Sequence, residues 1–173
     1  MMHDPNDTGD RTEGTGSTRK IYLNDALVPN RSVEGRWYGD VRDELKKIDV
    51  DSTLDSLIAE DKNLMDMDRA SAGDEIRRMM SYLDLDQKEA TQFVHILNEG
   101  ISNAKPDEWA KESRKRMNRA YGNEATMRLN ETEQVVQRNW KLNAFIREHK
   151  LGSHPDLVEL IAKKAPDINR RYE

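Results

Sequence analysis

Trp140-Lys141-Leu142-Asn143-Ala144-Phe145-Ile146 is followed, a few residues on, by Leu151-Gly152-Ser153-His154-Pro155-Asp156-Leu157-Val158-Glu159-Leu160-Ile161-Ala162-Lys163-Lys164-Ala165-Pro166. The spacing of the apolar residues predicts two short amphipathic helices, about 140–150 and 155–165, joined by a tight turn. Gly152 suits a left-handed residue just past the first helix. Ser153 with Asp156 three residues on reads as a capping box for the second helix. Pro155 falls in the first turn, where its missing N–H is harmless, and Pro166 discourages continuation. Leu142, Phe145 and Ile146 are expected to close on Leu157, Val158 and Ile161, each side chain contributing about 1.5–3 kcal/mol on burial. Such a two-helix hook at the end of a polar chain reads as a docking element.

Working outward, the chain has 173 residues, 35% of them charged and only 35% apolar, with a mean hydropathy of −0.97. That apolar share is below the usual range of about 45–50% and argues against a large compact core. The expected fold class is therefore all-α, an extended multi-helix chain. There are no cysteines, which excludes disulfides, thiolate metal sites and cysteine nucleophiles. No apolar stretch reaches the roughly 18 residues of a membrane span, and no apolar leader segment is visible at the N-terminus.

Charge is unevenly placed. Residues 105–173 carry 15 lysines and arginines against 11 aspartates and glutamates, and residues 1–104 carry 13 against 22. The chain thus divides into an arm (1–35, polar, aperiodic and expected to be disordered), an acidic helical region (36–104) and a basic helical region (105–173) that ends in the hook. Within the arm only Ile21-Tyr22-Leu23 and Leu27-Val28 are apolar. Trp37-Tyr38 is expected to begin the ordered part, with a short helix from Gly39-Asp40 to about Ile48. Further helices are expected with caps at Asp51 or Ser52, at Ser71 and at Asp86. Their apolar faces are Leu54, Leu57, Ile58 and Leu64; Ile76, Met79, Met80 and Leu83; and Ala90, Phe93, Val94, Leu97 and Ile101. Gly100 reads as a helix stop, Pro106-Asp107 as the start of the next helix, and Gly122-Asn123 as a break.

Residue patterns that carry chemistry are missing. His3, His95, His149 and His154 fit no metal-ligand spacing. The acidic clusters Asp49/Asp51/Asp55, Asp66/Asp68 and Asp84/Asp86 lack the sixth-position glycine of a calcium loop and read as helix caps. No phosphate-binding glycine loop or nucleophile elbow occurs. No catalytic residue, metal or cofactor is expected. Lys111, Arg114, Lys115, Arg116 and Arg119 could meet phosphates or a partner's carboxylates. Gln87, Lys88 and Gln92 could read bases if the helices around Asp84-Leu85-Asp86 formed a helix-turn-helix, although acids crowd that turn.

The stretch from Trp109 through Tyr121-Gly122-Asn123-Glu124 and Phe145-Ile146 to the 151–165 block resembles the C-terminal part of scaffolding and capsid-assembly proteins of short-tailed bacteriophages. Leu151, Gly152, His154, Pro155, Leu157 and Val158 match that family's final block, while Lys150 stands where its glycine is usual. Leu85-Asp86-Gln87-Lys88-Glu89-Ala90 also resembles the family, so the likeness spans about residues 80–165. The resemblance implies a helical, non-enzymatic protein whose middle helices self-associate and whose hook binds the major capsid (coat) protein or another head protein. It would act in the host cytoplasm during assembly or within the virion head. The residues expected to meet the partner are Arg147, Lys150, His154, Lys163, Lys164, Arg170 and Arg171. The alternative expectation is a small nucleic-acid-binding packaging or regulatory protein.

Overall fold

The structure, a computed structural model, describes residues 41–60 and 69–173. The expected arm, Trp37-Tyr38, Gly39-Asp40 and Leu64 lie outside the described residues, as does the side chain of Ile58. The regular elements are α1 (Asp43–Lys46), α2 (Asp51–Glu60), α3 (Arg69–Tyr82), α4 (Gln87–Ser102), α5 (Pro106–Tyr121), a 3₁₀ turn (Gly122–Glu124), α6 (Ala125–Arg138), α7 (Trp140–Glu148) and α8 (Pro155–Arg170). The chain is all-α, with no strand among the described residues.

Local sequence sets several boundaries. Asp86 caps α4 in a full capping box: its carboxylate accepts the Glu89 N–H at 2.8 Å, and Glu89 accepts the Asp86 N–H at 3.0 Å. Pro106 occupies the first turn of α5, with Asp107 and Glu108 beside it at the positive end of the helix dipole. Asn139 caps α7, its side chain accepting the Leu142 N–H at 3.0 Å. Other expected caps move. Ser71 lies inside α3. At the start of α2 it is Asp49 that accepts the Asp51 N–H, at 2.9 Å.

Two helices end in the same left-handed turn without glycine. After α3, Asp84 has φ 53°, with Leu85 N–H bonded to Met80 O at 3.1 Å and Asp84 N–H to Ser81 O at 3.1 Å. After α7, Lys150 has φ 57°, with Leu151 N–H bonded to Ile146 O at 2.9 Å and Lys150 N–H to Arg147 O at 3.2 Å. Both are Schellman turns. The left-handed residue expected at Gly152 is therefore Lys150, two positions earlier. A side chain there costs about 1–2 kcal/mol. Lys150→Gly is expected to stabilise the fold by about 1 kcal/mol and raise Tm by about 2–4 °C, read by thermal denaturation.

The low apolar share does not prevent a core. One continuous buried cluster runs from Leu45 to Ile168 and draws on every helix from α1 to α8 except α5, whose Trp109 packs against it half-buried. Met117 of α5 joins Ala125, Val158 and Ala162 in a second, smaller cluster. The helices fold back on one another instead of forming the extended arrangement expected.

At its centre lies α8, with Leu157, Val158, Leu160, Ile161, Ala162, Ala165 and Ile168 all buried. It packs mainly on α6 and α5, and also on α4, while α7 packs on α6. The expected hairpin of α7 on α8 thus gives way to two helices that share α6 as their neighbour. Its first residue is Pro155 and its N-cap is His154, without a side-chain capping bond, so Ser153 and Asp156 form no capping box. Nor does Pro166 stop the helix, which continues to Arg170. Tertiary contacts hold that extra turn against the proline's cost: Ile168 is buried, and Asn169 Oδ1 accepts from Arg138 at 2.9 Å while its Nδ2 donates to Glu131 O at 3.2 Å.

Candidate docking surfaces

The cations of α8 meet acidic groups, but those of their own chain. Glu89 is only 7% exposed. Its carboxylate takes Lys164 Nζ at 2.6 Å and Lys163 Nζ at 2.9 Å. Burial opposes its charge, but Lys164, the Asp86 N–H and Lys163 outweigh burial and pull its pKa down to about 2. One turn earlier, Asp84 accepts from Arg171 at 2.6 Å and from Arg42 at 3.1 Å, and its carbonyl accepts from Lys164 at 3.0 Å. The bond from Arg171 leads in holding the Asp84 carboxyl below its usual range. The α3–α4 turn is therefore an acidic socket for the end of the chain. Lys163, Lys164 and Arg171, expected to be available to a partner, are engaged inside the fold. Lys163 stays largely exposed beyond its bond, and Arg170, also exposed, lies 3.5 Å from Asp167 in its own helix.

His154, expected to meet a partner, is instead buried, being 2% exposed. Its ring leans on Trp109 with centroids 4.7 Å apart. Burial lowers its pKa and favours the neutral ring. Around it the turn is locked to α5: Ser113 Oγ donates to Ser153 O at 2.6 Å, and Arg116 reaches Asp156 at 2.6 Å and Glu112 at 2.9 Å. Leu151, fully buried, sits over Gly100 so closely that a Cβ there would overlap it, with His154 and Trp109 alongside. Gly100 is thus not a helix stop. It lies within α4 and lets the 149–154 turn approach the helix. Sequence reading missed Gly100, Trp109, Ser113 and Glu89 as the residues that hold this turn and α8 in place.

Of the expected hook core, Leu142, Ile146, Leu157, Val158 and Ile161 are buried. Phe145 is half-buried and turns elsewhere, lining an apolar recess of about 160 Å³ with Leu57, Ile76 and Met79, its ring 4.6 Å from that of His149. Because α7 and α8 do not close on each other, a groove of about 350 Å³ remains between α6, α7 and α8. It is lined by Leu129, Val136, Ile146, Leu157, Val158 and Ile161. Arg147 also lines it, and Lys150 follows in the adjoining turn; both are exposed. Neither has a carboxylate partner among the described residues.

The third surface is the outer face of α5. Lys111, Arg114, Lys115, Asn118 and Arg119 recur at helical spacing and are all exposed. Arg116 faces inward to Glu112, Asp156 and Glu159. Gln87, Lys88 and Gln92 are exposed on the first turns of α4, but beside Asp86 and Glu44, which together line a shallow depression there. Among the described residues no cluster of three or more histidines and carboxylates is placed to hold a metal ion. Asp51 and Asp55 face Arg69 at 3.6 and 2.9 Å, and Asp66 and Asp68 lie outside the described residues. No helix among those residues is long and apolar enough to cross a membrane. Compared with known proteins, the chain matches no family model, no curated protein and no solved structure at a significant level.

Proposed function

We propose that this chain is a non-enzymatic helical assembly protein of the scaffolding kind, which gathers phage coat subunits by seating a coat segment between α6, α7 and α8. The observation that carries the reading is the groove of about 350 Å³, in which the half-buried Leu129 and Val136 form the accessible apolar wall over a floor that includes the buried Leu157 and Val158. Its size falls near the lower end of known binding pockets, about 300–1,000 Å³. A wall of this kind accepts an apolar helix face or loop, and its charges, Arg147 and Lys150 against the single carboxylate of Glu133, favour one flanked by more acids than bases. The Leu151–Val158 block that carries the phage resemblance supplies both the turn beside the groove and part of its wall.

The energetics suit a transient assembly guide. An exposed charge pair is worth about 0–1 kcal/mol and is screened by salt. One groove with two rim cations therefore binds weakly, and many copies on a shell bind through avidity while remaining releasable. The protein would act in the host cytoplasm during assembly or stay in the virion head, with self-association adding further copies.

Arg147→Glu with Lys150→Glu is expected to lower co-sedimentation with the phage coat protein that it assembles by about tenfold at moderate salt. Helicity should be unchanged, because neither side chain supports the fold. Full co-assembly by the double variant would remove the groove from consideration.

A further inference from the structure

We infer that the outer face of α5 is a sequence-independent binding surface for the phosphate backbone of duplex nucleic acid. This is a second interaction, independent of the groove. Lys111, Arg114, Lys115 and Arg119 stand along one exposed line of the helix with Asn118 among them. At 1.5 Å rise per residue the line is about 12 Å long. None of the four cations has a carboxylate within ion-pair distance among the described residues, whereas Arg116 one face away is held by three. The free cations of the basic half of the chain are thus concentrated here, because Lys163, Lys164 and Arg171 are occupied.

The make-up of the face selects the partner. Protein interfaces centre on buried apolar or aromatic anchors. From Lys111 to Arg119 this line presents none. Single-stranded nucleic acid is gripped by aromatic side chains that stack on bases. Here the nearby aromatics are turned away: Trp109 packs on His154, with ring centroids 4.7 Å apart, and Tyr121 lies under Arg128 at 5.6 Å. What remains is positive charge and hydrogen-bonding groups, with the one adjoining carboxylate, Glu112, taken up by Arg116 at 2.9 Å; this is the composition of backbone binding. A duplex presents one phosphate per roughly 1.7 Å of axis, so a line of about 12 Å offers every cation a partner. The acidic first turn, Asp107 and Glu108, limits the contact to residues 111–119.

The test is fluorescence anisotropy of the full chain with a labelled duplex of about 20 base pairs, titrated at several salt concentrations. Four phosphate contacts give a slope of log K against log salt near −3.6, an affinity loss of about 150-fold between 50 and 200 mM salt. Arg114→Gln with Lys115→Gln, both exposed, should halve the slope, leaving a loss of about 12-fold over the same range, with an unchanged circular dichroism spectrum. Arg147→Gln should leave the slope alone. The inference is overturned by no binding at 50 mM salt, or by an unchanged slope in the double variant. It is equally overturned by a single strand bound as tightly as the duplex, or by polyglutamate bound more tightly, which would assign the face to an acidic protein.

Discussion

Glu89→Gln is expected to cost the fold about 3 kcal/mol at neutral pH and progressively less in acid. Glutamine keeps the volume of Glu89 and, with its carbonyl in place of Oε2, still accepts from the Asp86 N–H and from Lys164, but it loses the charge that faces both lysines and turns an NH₂ group toward Lys163, which now donates to Oε1 at 2.9 Å. The variant therefore mimics the protonated carboxyl. The folded pKa of about 2 lies below the ordinary value of 4.5. A depressed folded pKa gives stability that is present above the unfolded value and lost as pH falls through the folded one. The difference between the two proteins should therefore shrink from about 3 kcal/mol at pH 7 to about half of that at pH 3. Urea denaturation across that range measures it. Equal stability at pH 7 would mean that the charge on Glu89 contributes nothing net to joining α4 and α8. His154 acts in the same direction at higher pH: its lowered pKa makes protonation unfavourable in the fold, so it withdraws stability as pH falls below its ordinary value of 6.5.

This result also reassigns the lysines. From sequence, Lys163→Glu with Lys164→Glu is expected to abolish coat binding and leave helicity intact. In the structure the same pair would place two new carboxylates against Glu89, which is almost fully buried. The variant should unfold before it reports on any partner. A basic segment read one residue at a time looks like a surface in search of an acid. Nothing in the local pattern shows that the acid lies 74 residues upstream for Lys163 or 87 for Arg171. Only the coarse asymmetry, an acidic front and a basic back, was legible, and its resolution lies inside the molecule.

Helical periodicity was readable wherever one face alone is buried. Ile76, Met79, Met80 and Leu83, and Phe93, Val94, Leu97 and Ile101, were marked by spacing and are buried. So were the features that act within one turn, the Asp86 cap and Pro106 at the start of α5. Legibility failed where tertiary packing overrides a local signal. Pro166 continues a helix because Ile168 and Asn169 are anchored beyond it. Lys150 adopts a left-handed backbone because Leu151 must be buried next to it. From sequence α8 reads as half of a docking hook that buries Leu157, Val158 and Ile161 and offers Lys163 and Lys164 to a partner, yet apolar residues occupy most of its circumference. Candidate binding surfaces were legible by composition for α5 alone. The groove exists because α7 and α8 diverge, and no residue pattern encodes divergence.

Gly100→Ala should change sign with its neighbour. In the native background the new methyl group overlaps Leu151, which is fully buried with His154 and Trp109 beside it. Overpacking of this kind costs about 1–3 kcal/mol, and the better helix propensity of alanine offsets about 1 kcal/mol of it, leaving a net loss. Leu151→Ala alone empties the site and should cost about 2–5 kcal/mol. In that background Gly100→Ala meets no obstacle, partly refills the space, and keeps its propensity gain, so it should stabilise by about 1 kcal/mol or more. The double-mutant cycle then shows a coupling of about 2 kcal/mol between a residue of α4 and one of the turn after α7, 51 positions apart in sequence. Chemical denaturation of the four proteins measures it. A loss of the same size in both backgrounds would show that Gly100 matters for its own backbone and not for the approach of the turn. The predicted reversal instead identifies the 149–154 turn as a structural joint that seats α8 on α4.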